Sequence, residues 1–195
     1  MLPCGLESSH SSPPFDMNFC SQCGAPLVHT IPDGDNRHRH CCPACGTIHY
    51  ENPKMVVGCL AEWDDKILLC RRAIEPRHGF WTLPAGFMEN GESAMEGALR
   101  ETLEEAGARV QEPTLYSLIS LPDINQVYLM FRAQLSDLDF APGEESLEVQ
   151  LFSESDVPWD ALAFRTIRAT LERYFDDRRR GEYPLHIEDI RHRNH

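Results

Sequence analysis

The chain has 195 residues, of which 42% are hydrophobic and 25% charged, the balance of a globular protein able to bury its own core. Its 31 acidic residues against 18 basic ones give a net charge of −13, the wrong sign for a general nucleic-acid or anionic-membrane binder. No apolar run approaches the roughly 18 residues of a spanning helix.

Residues 1–16 read MLPCGLESSHSSPPFD and lack the basic start and apolar stretch of an export signal. Their Ser and Pro content predicts a disordered tail. Residues 17–50 carry two copies of one short turn, Cys20-x2-Cys23-Gly24 and Cys42-x2-Cys45-Gly46. Eighteen residues separate the pairs, which fits a zinc ribbon. Glycine lets the backbone fold beneath two thiolates, and two such turns close a tetrahedron on the ion. Four thiolates leave no open position, so this zinc is expected to be structural. All eight cysteines fall within the first 70 residues, and no export signal is visible. A reducing cytoplasm with a local metal site is therefore expected rather than a disulfide scaffold.

Beyond Asn52-Pro53 the character changes. Residues 55–63 and 66–70 read as apolar strands joined by a hairpin at Asp64-Asp65, and residues 80–83 as a short strand. A glycine-containing loop, 84–92, leads into a helix over 93–106, with Ser93 and Glu96 as a capping box and Gly107 as its stop. Strands are predicted over 114–120, 126–135 and 147–152, with the loop 139–146 between the last two. An amphipathic helix is predicted over 161–179. Residues 181–195 show little periodicity and are expected to form a tail. Several strands around one strongly marked helix, then a closing helix, give an α/β sandwich of the α+β kind with a mixed sheet.

The helix over 93–106 carries the chemistry. Glu101, Glu104 and Glu105 fall within a roughly 100° arc, and Met95, Leu99, Leu103 and Ala106 lie opposite. The expectation is an apolar side docked on the sheet and three carboxylates facing outward together. Like charges at i,i+4 destabilise a helix, and neither Glu101 nor Glu105 has a lysine four residues on. Such carboxylates invite a hard divalent cation, which takes oxygen ligands and bridges to phosphate.

Gly86-x5-Glu92-x7-Arg100-Glu101-Thr102-x-Glu104-Glu105-x-Gly107-Ala108 resembles the Nudix box at every fixed position, with Thr102 where a larger aliphatic residue is usual. The resemblance implies a Nudix α/β/α sandwich over residues 53–180, preceded by the ribbon. It implies hydrolysis of a nucleoside diphosphate linked to another group. Mg2+ or Mn2+ would be held by Glu101, Glu104 and Glu105, with the Gly86 carbonyl contributing, and Arg100 and Glu92 would orient those ligands. The base varies in this family, so Glu104, Glu105, Glu144 and Glu145 all stand as candidates.

A zinc ribbon ahead of such a domain is similar to NADH pyrophosphatases, and more so to a branch acting on FAD and ADP-ribose. The stretches FCSQCG, IPDGDNR, CPACGTIHYENPK, ILLCRRAIEP and WTLPAGFMENGE carry that likeness. Ser120-Leu-Pro-Asp-Ile-Asn-Gln stands where NADH pyrophosphatases have a proline-rich signature, which favours FAD or ADP-ribose over NADH. Arg71 and Arg72 are candidates for phosphate contact, because a guanidinium fork matches phosphate oxygens. Trp81 and Phe87 are candidates for stacking on a base, set against a role in the core. The family likeness also implies a homodimer. RNA-cap hydrolysis is the rival within the enzyme class. A zinc-ribbon interaction module with a vestigial fold is the rival outside it, and the intact set of box glutamates argues against that.

Overall fold

The computed structural model describes residues 17–191. The chain divides into two compact units between Asn52 and Pro53. Neither helix is long and apolar enough to cross a membrane. The expected tail over residues 1–16 lies outside the described residues.

The first unit is a three-stranded antiparallel sheet of β1 (Val28–Thr30), β2 (Arg39–Cys41) and β3 (Ile48–His49), in that order. Its two cysteine turns are alike. Gly24 N–H donates to the Cys20 carbonyl at 2.8 Å and Gly46 N–H to the Cys42 carbonyl at 2.9 Å. Both glycines have φ near +75°, which only glycine adopts freely (72° and 76°). The repeated Cys-x2-Cys-Gly spelling is thus a backbone requirement.

The second unit is built on one mixed sheet. Its elements are β4 (Lys54–Trp63), β5 (Lys66–Arg72), β6 (Trp81–Thr82), β7 (Ala85–Phe87), α1 (Ala94–Ala106), β8 (Val110–Leu121), β9 (Gln126–Leu135), β10 (Ser146–Phe152), α2 (Arg165–Arg180) and β11 (His186–Asp189). The strand order is β10-β5-β4-β9-β8-β11, with β6 on β5 and β7 on β4. β4 runs parallel to β9 along nearly its whole length. On its other side β4 forks. Val56–Gly58 pair with β7, whereas Glu62 and Trp63 pair with β5.

Both faces of the sheet are covered, which explains why β4 and β5 read as continuous apolar runs. Leu60, Ile67, Leu69 and Met130 pack with Ile167, Leu171, Tyr174 and Phe175 of α2. The alternate residues face α1: Val57, Cys59 and Phe131 around Ala98, and Ala61, Leu68 and Cys70 around Ala106. Beneath α2 two carboxylates are buried and bonded. Glu62 accepts from Tyr174 at 2.6 Å, and Asp177 accepts from Tyr116 at 2.7 Å.

Several elements differ from the sequence expectations: β7 lies within the expected loop 84–92, and β8 begins at Val110 rather than at 114. The helix expected from residue 161 begins at Arg165, because Trp159–Ala161 form a separate 3-10 turn. The stretch expected to be a featureless tail contains β11, which pairs parallel with Ser117–Ser120 of β8. Its four residues are too few to show a period. They are held by backbone pairing and by His186 Nε2, which lies 2.6 Å from the Asp177 carboxylate.

Candidate active site

The fork in β4 opens on a cavity of about 970 Å3. Val56, Ala85, Gly86 and Phe87 line it from β4 and β7, and Arg72 from the end of β5. Arg100, Glu101, Glu104 and Glu105 line it from α1, and Glu144 and Glu145 from the loop before β10.

α1 starts as its spelling predicts. The Ser93 hydroxyl accepts from Glu96 N–H at 3.3 Å, and the Glu96 carboxylate accepts from Ser93 N–H at 2.8 Å. Gly107 ends it in the left-handed region. The face it buries is only in part the expected one: Ala106 is buried and Leu99 packs against the core, but the other two expected residues do neither. Met95 and Leu103 are 42% and 49% exposed. Ala98, Glu101, Thr102 and Glu105 are buried instead, at the i, i+3, i+4 and i+7 spacing of one stripe. Thr102 is spent on the helix, donating to the Ala98 carbonyl at 2.7 Å. Glu101 and Glu105 therefore point inward, toward the sheet and the cavity.

Each carboxylate has a different environment. Glu105 is 7% exposed and accepts from Ala85 N–H at 2.9 Å, and its burial pushes the acid up to about 7. Burial also raises Glu101. Glu104 is exposed. Arg100 ties the set together. It donates to Glu101 at 2.7 Å, to Glu104 at 3.0 Å, to both oxygens of Glu92, and to the Phe87 carbonyl at 3.2 Å. Those bonds hold Glu92 down at about 2. Glu92 is not itself among the cavity-lining residues. A Cβ on Gly86 would displace the Glu101 carboxylate from its position.

The acidic loop before β10 is fastened to α1 by its backbone. Ala141 N–H donates to the Ala106 carbonyl at 2.9 Å and Gly143 N–H to the Glu105 carbonyl at 3.1 Å. A Cβ on Gly143 would collide with the Glu104 carbonyl oxygen. The last turn of α1 is thereby capped, and Glu144 and Glu145 are brought to the wall of the same cavity.

Of the four candidate substrate contacts, Arg72 and Phe87 line the cavity. Arg71 instead reaches the Gly79 carbonyl at 3.0 Å and Glu148 at 3.8 Å. Trp81 packs edge-on against Phe152 in the α2-side core. Strand alternation separates the adjacent arginines. Arg72 is only 9% exposed, and no carboxylate lies within ion-pair distance of it among the described residues. Its Nε donates to the Pro76 carbonyl at 2.9 Å, and its guanidinium lies 5.1 Å from the Phe164 ring. Tyr128, Phe164, Thr166 and Ile190 complete the wall and were not among the sequence candidates. Phe164 carries no capping chemistry that would have marked the helix start.

In the ribbon, the four sulfurs of Cys20, Cys23, Cys42 and Cys45 lie within 4.8 Å of one another. Cys20 and Cys45 are 3.7 Å apart, and Cys23 and Cys42 are 3.5 Å apart. Zinc bonded to sulfur at roughly 2.3 Å in a tetrahedron needs about 3.8 Å between sulfurs, so the set fits that ion. The box glutamates supply hard oxygens at a cavity wall, the donor chemistry of Mg2+ or Mn2+. They are not gathered within 4.8 Å of one another as the thiols are, and Arg100 bonds to two of them.

The NUDIX domain model matches residues 52–174, and the zinc-ribbon Nudix N-terminal model matches residues 18–51. The chain is 30% identical over 163 residues to the NAD-capped RNA hydrolase NudC of Stutzerimonas stutzeri, covering 80% of this chain and 53% of that protein. It thus spans about half the length of that relative. It is 31% identical over 119 residues to the ADP-ribose pyrophosphatase of Methanocaldococcus jannaschii, covering 59% of this chain and 69% of that one. A crystal structure of a NUDIX hydrolase from Nitrosomonas europaea shares 56% identity at a TM-score of 0.88, covering 90% of this chain and all of that one.

Proposed function

The chain belongs to the Nudix hydrolase family, and from that premise we propose that it hydrolyses the pyrophosphate of a nucleoside diphosphate joined to a second group, with ADP-ribose or FAD as substrate. One observation carries the reading. Arg72, a buried guanidinium with no carboxylate in ion-pair distance among the described residues, shares a cavity with the box glutamates and acts electrostatically on Glu105. A buried charge calls for a counter-charge, and a phosphate held there supplies it. Similarity to a protein named ADP-ribose pyrophosphatase supports the substrate class.

In the reaction, water forms a bond to one phosphorus and the bridging P–O bond breaks. The leaving phosphate keeps the electron pair, and two phosphate monoesters result. Glu101, Glu104 and Glu105 would hold Mg2+ or Mn2+, assisted by the Gly86 carbonyl. The bound ion offsets the substrate's negative charge and makes water more acidic. Arg100 fixes the rotamers of Glu101 and Glu104, and Glu92 fixes Arg100. Arg72 neutralises phosphoryl oxygens. A cavity carboxylate takes the proton from the attacking water. Glu104, Glu105, Glu144 and Glu145 are the candidates, and the pH–rate profiles of their glutamine variants separate them. Phe87, at the cavity mouth, is a surface for the base. The ribbon would hold one structural zinc.

The test is a hydrolysis panel with Mg2+ over ADP-ribose, FAD, NADH, NAD+, diadenosine polyphosphates and NAD-capped RNA, with products identified. Turnover of ADP-ribose or FAD exceeding the rest is expected. Faster cleavage of capped RNA would overturn the substrate, and no cleavage of any would overturn the activity.

A further inference from the structure

β11 and the residue after it lie beyond residue 174, where the match to the NUDIX domain ends, yet they complete one wall of the cavity. Ile190 N–H donates to the Ser120 carbonyl at 2.9 Å, which carries the pairing with β8 past Asp189. Arg165 donates to the carbonyl of the next residue, Arg191, at 3.1 Å. Upstream, the contact of His186 with Asp177 and an ion pair of Glu188 with Arg173 at 2.6 Å fasten the strand to α2. Ile190 is thus fixed from both sides, and it lines the cavity.

The register of the sheet sets what stands beside it. Phe87 is paired with Val56 across β7 and β4, Val56 with Tyr128 across β4 and β9, and Tyr128 with Ile119 across β9 and β8. Directly paired residues project from one face of a sheet. Leu121, two residues on from Ile119, projects from the same face, and both Leu121 and Ile190 pack against the cluster of Val56, Ile119 and Tyr128. Phe87, Val56, Tyr128, Leu121 and Ile190 all line the cavity, so an apolar strip crosses it from β7 to the end of β11. The Tyr128 hydroxyl is engaged by Thr166 of α2. Apolar surface kept against water is unfavourable, and a flat ring laid over it removes that cost. The cavity, at about 970 Å3, has room for much more than a pyrophosphate.

Arg72 joins the strip to the glutamates. It acts electrostatically on Glu105 and on Tyr128, and its guanidinium lies 5.1 Å from the Phe164 ring. A group attached to a phosphate held at Arg72 therefore reaches the strip.

We infer that the strip from Phe87 to Ile190 takes a planar heteroaromatic ring of the substrate, and that Ile190 is a specificity-determining residue closing its far end. The inference rests on the pyrophosphatase reading for the substrate and extends the surface given there to Phe87. Adenine and the flavin ring share the required chemistry, and separate titrations distinguish them.

Titration calorimetry of the full chain with Mg2+ and, in turn, AMP, FMN and ribose 5-phosphate tests the strip. Ile190→Ala should weaken binding of a ring-bearing nucleotide about tenfold, the scale of a few methylene groups of lost contact. It should leave ribose 5-phosphate, which has no ring system to stack, unchanged. Ile190→Leu, which conserves volume, should keep most of the binding. A loss with AMP assigns the strip to adenine, and a loss with FMN assigns it to the flavin. In hydrolysis of the substrate bearing that ring, ADP-ribose or FAD, Ile190→Ala should raise KM with kcat little changed, the pattern of lost uniform binding. Equal binding of AMP and FMN by wild type and Ile190→Ala, or a matching loss with ribose 5-phosphate, would overturn the strip. An unmoved KM in a chain that hydrolyses these substrates would overturn the role of Ile190 and leave the pyrophosphatase reading standing. Ile190-dependent binding of AMP or FMN in a protein that hydrolyses neither substrate would leave the strip standing and remove the pyrophosphatase reading.

Discussion

The Ala85 backbone N–H donates to Oε2 of Glu105 across 2.9 Å, pinning a buried helix carboxylate to the strand that carries Gly86. This bond favours the ionised acid, but burial outweighs it and pushes Glu105 up to about 7. Below pH 7 the folded metal-free chain thus favours the protonated form of Glu105.

The sign of the stability effect follows. A raised acid stabilises the fold fully below its ordinary value of 4.5, and that contribution is lost as pH rises through 7. Metal-free protein should lose about 3 kcal/mol from this source between pH 4.5 and 8. Glu105→Gln should flatten that part of the profile, because the amide oxygen still accepts from Ala85 while no charge is buried. Denaturant unfolding across the pH range checks this. The same variant should fold and lose most hydrolysis, as should Glu104→Gln. Wild-type turnover in either would remove that residue from the proposed machinery.

Glu92 shows the opposite sign. Its bonds to Arg100 hold it near 2, so their contribution is present above pH 4.5 and fades as pH falls toward 2. Glu92→Gln should move the acid-unfolding midpoint upward in pH. It should also lower kcat more than it changes KM, since Arg100 then orients Glu101 and Glu104 less firmly. An unchanged acid midpoint would show that the bridge adds nothing to the fold.

The ribbon's short strands bury little apolar surface, so metal should supply its stability. Purified chain should contain about one tightly held zinc. Cys42→Ser should release it and erase the amide dispersion of residues 17–50 in NMR spectra. Signals from residues 53–191 should keep their dispersion. Retention of a folded ribbon without metal would contradict the structural role.

Gly143 is the sharpest test of the loop before β10. A Cβ there has no room beside the Glu104 carbonyl oxygen. Gly143→Ala should lift the loop from α1 and lower kcat by about 100-fold, the scale of a 1 Å misplacement at a reacting centre. Far-ultraviolet circular dichroism should be unchanged.

The features that could be read from sequence are those whose causes are local. The capping box at Ser93 and Glu96, the stop at Gly107, the Asp64-Asp65 hairpin and the paired cysteine turns depend on residues a few positions apart. The orientation of α1 depends on something farther away. Hydropathy turned Met95 and Leu103 inward, yet the cavity they would have filled is where Glu101 and Glu105 are needed. Charge burial at a site runs against the pattern that finds helices. Arg71 and Arg72 were equivalent on paper and lie on opposite faces of one strand. Phe164 and Thr166 gave no signal because their partners are distant in sequence, Arg72 at the end of β5 and Tyr128 on β9.

The junction between α1 and the acidic loop is made by main-chain atoms, at Ala141 to Ala106 and Gly143 to Glu105. It therefore does not depend on which side chains the loop displays, so long as position 143 stays bare. A substitution at 144 or 145 therefore changes the charge presented to the cavity while leaving the loop seated on the last turn of α1.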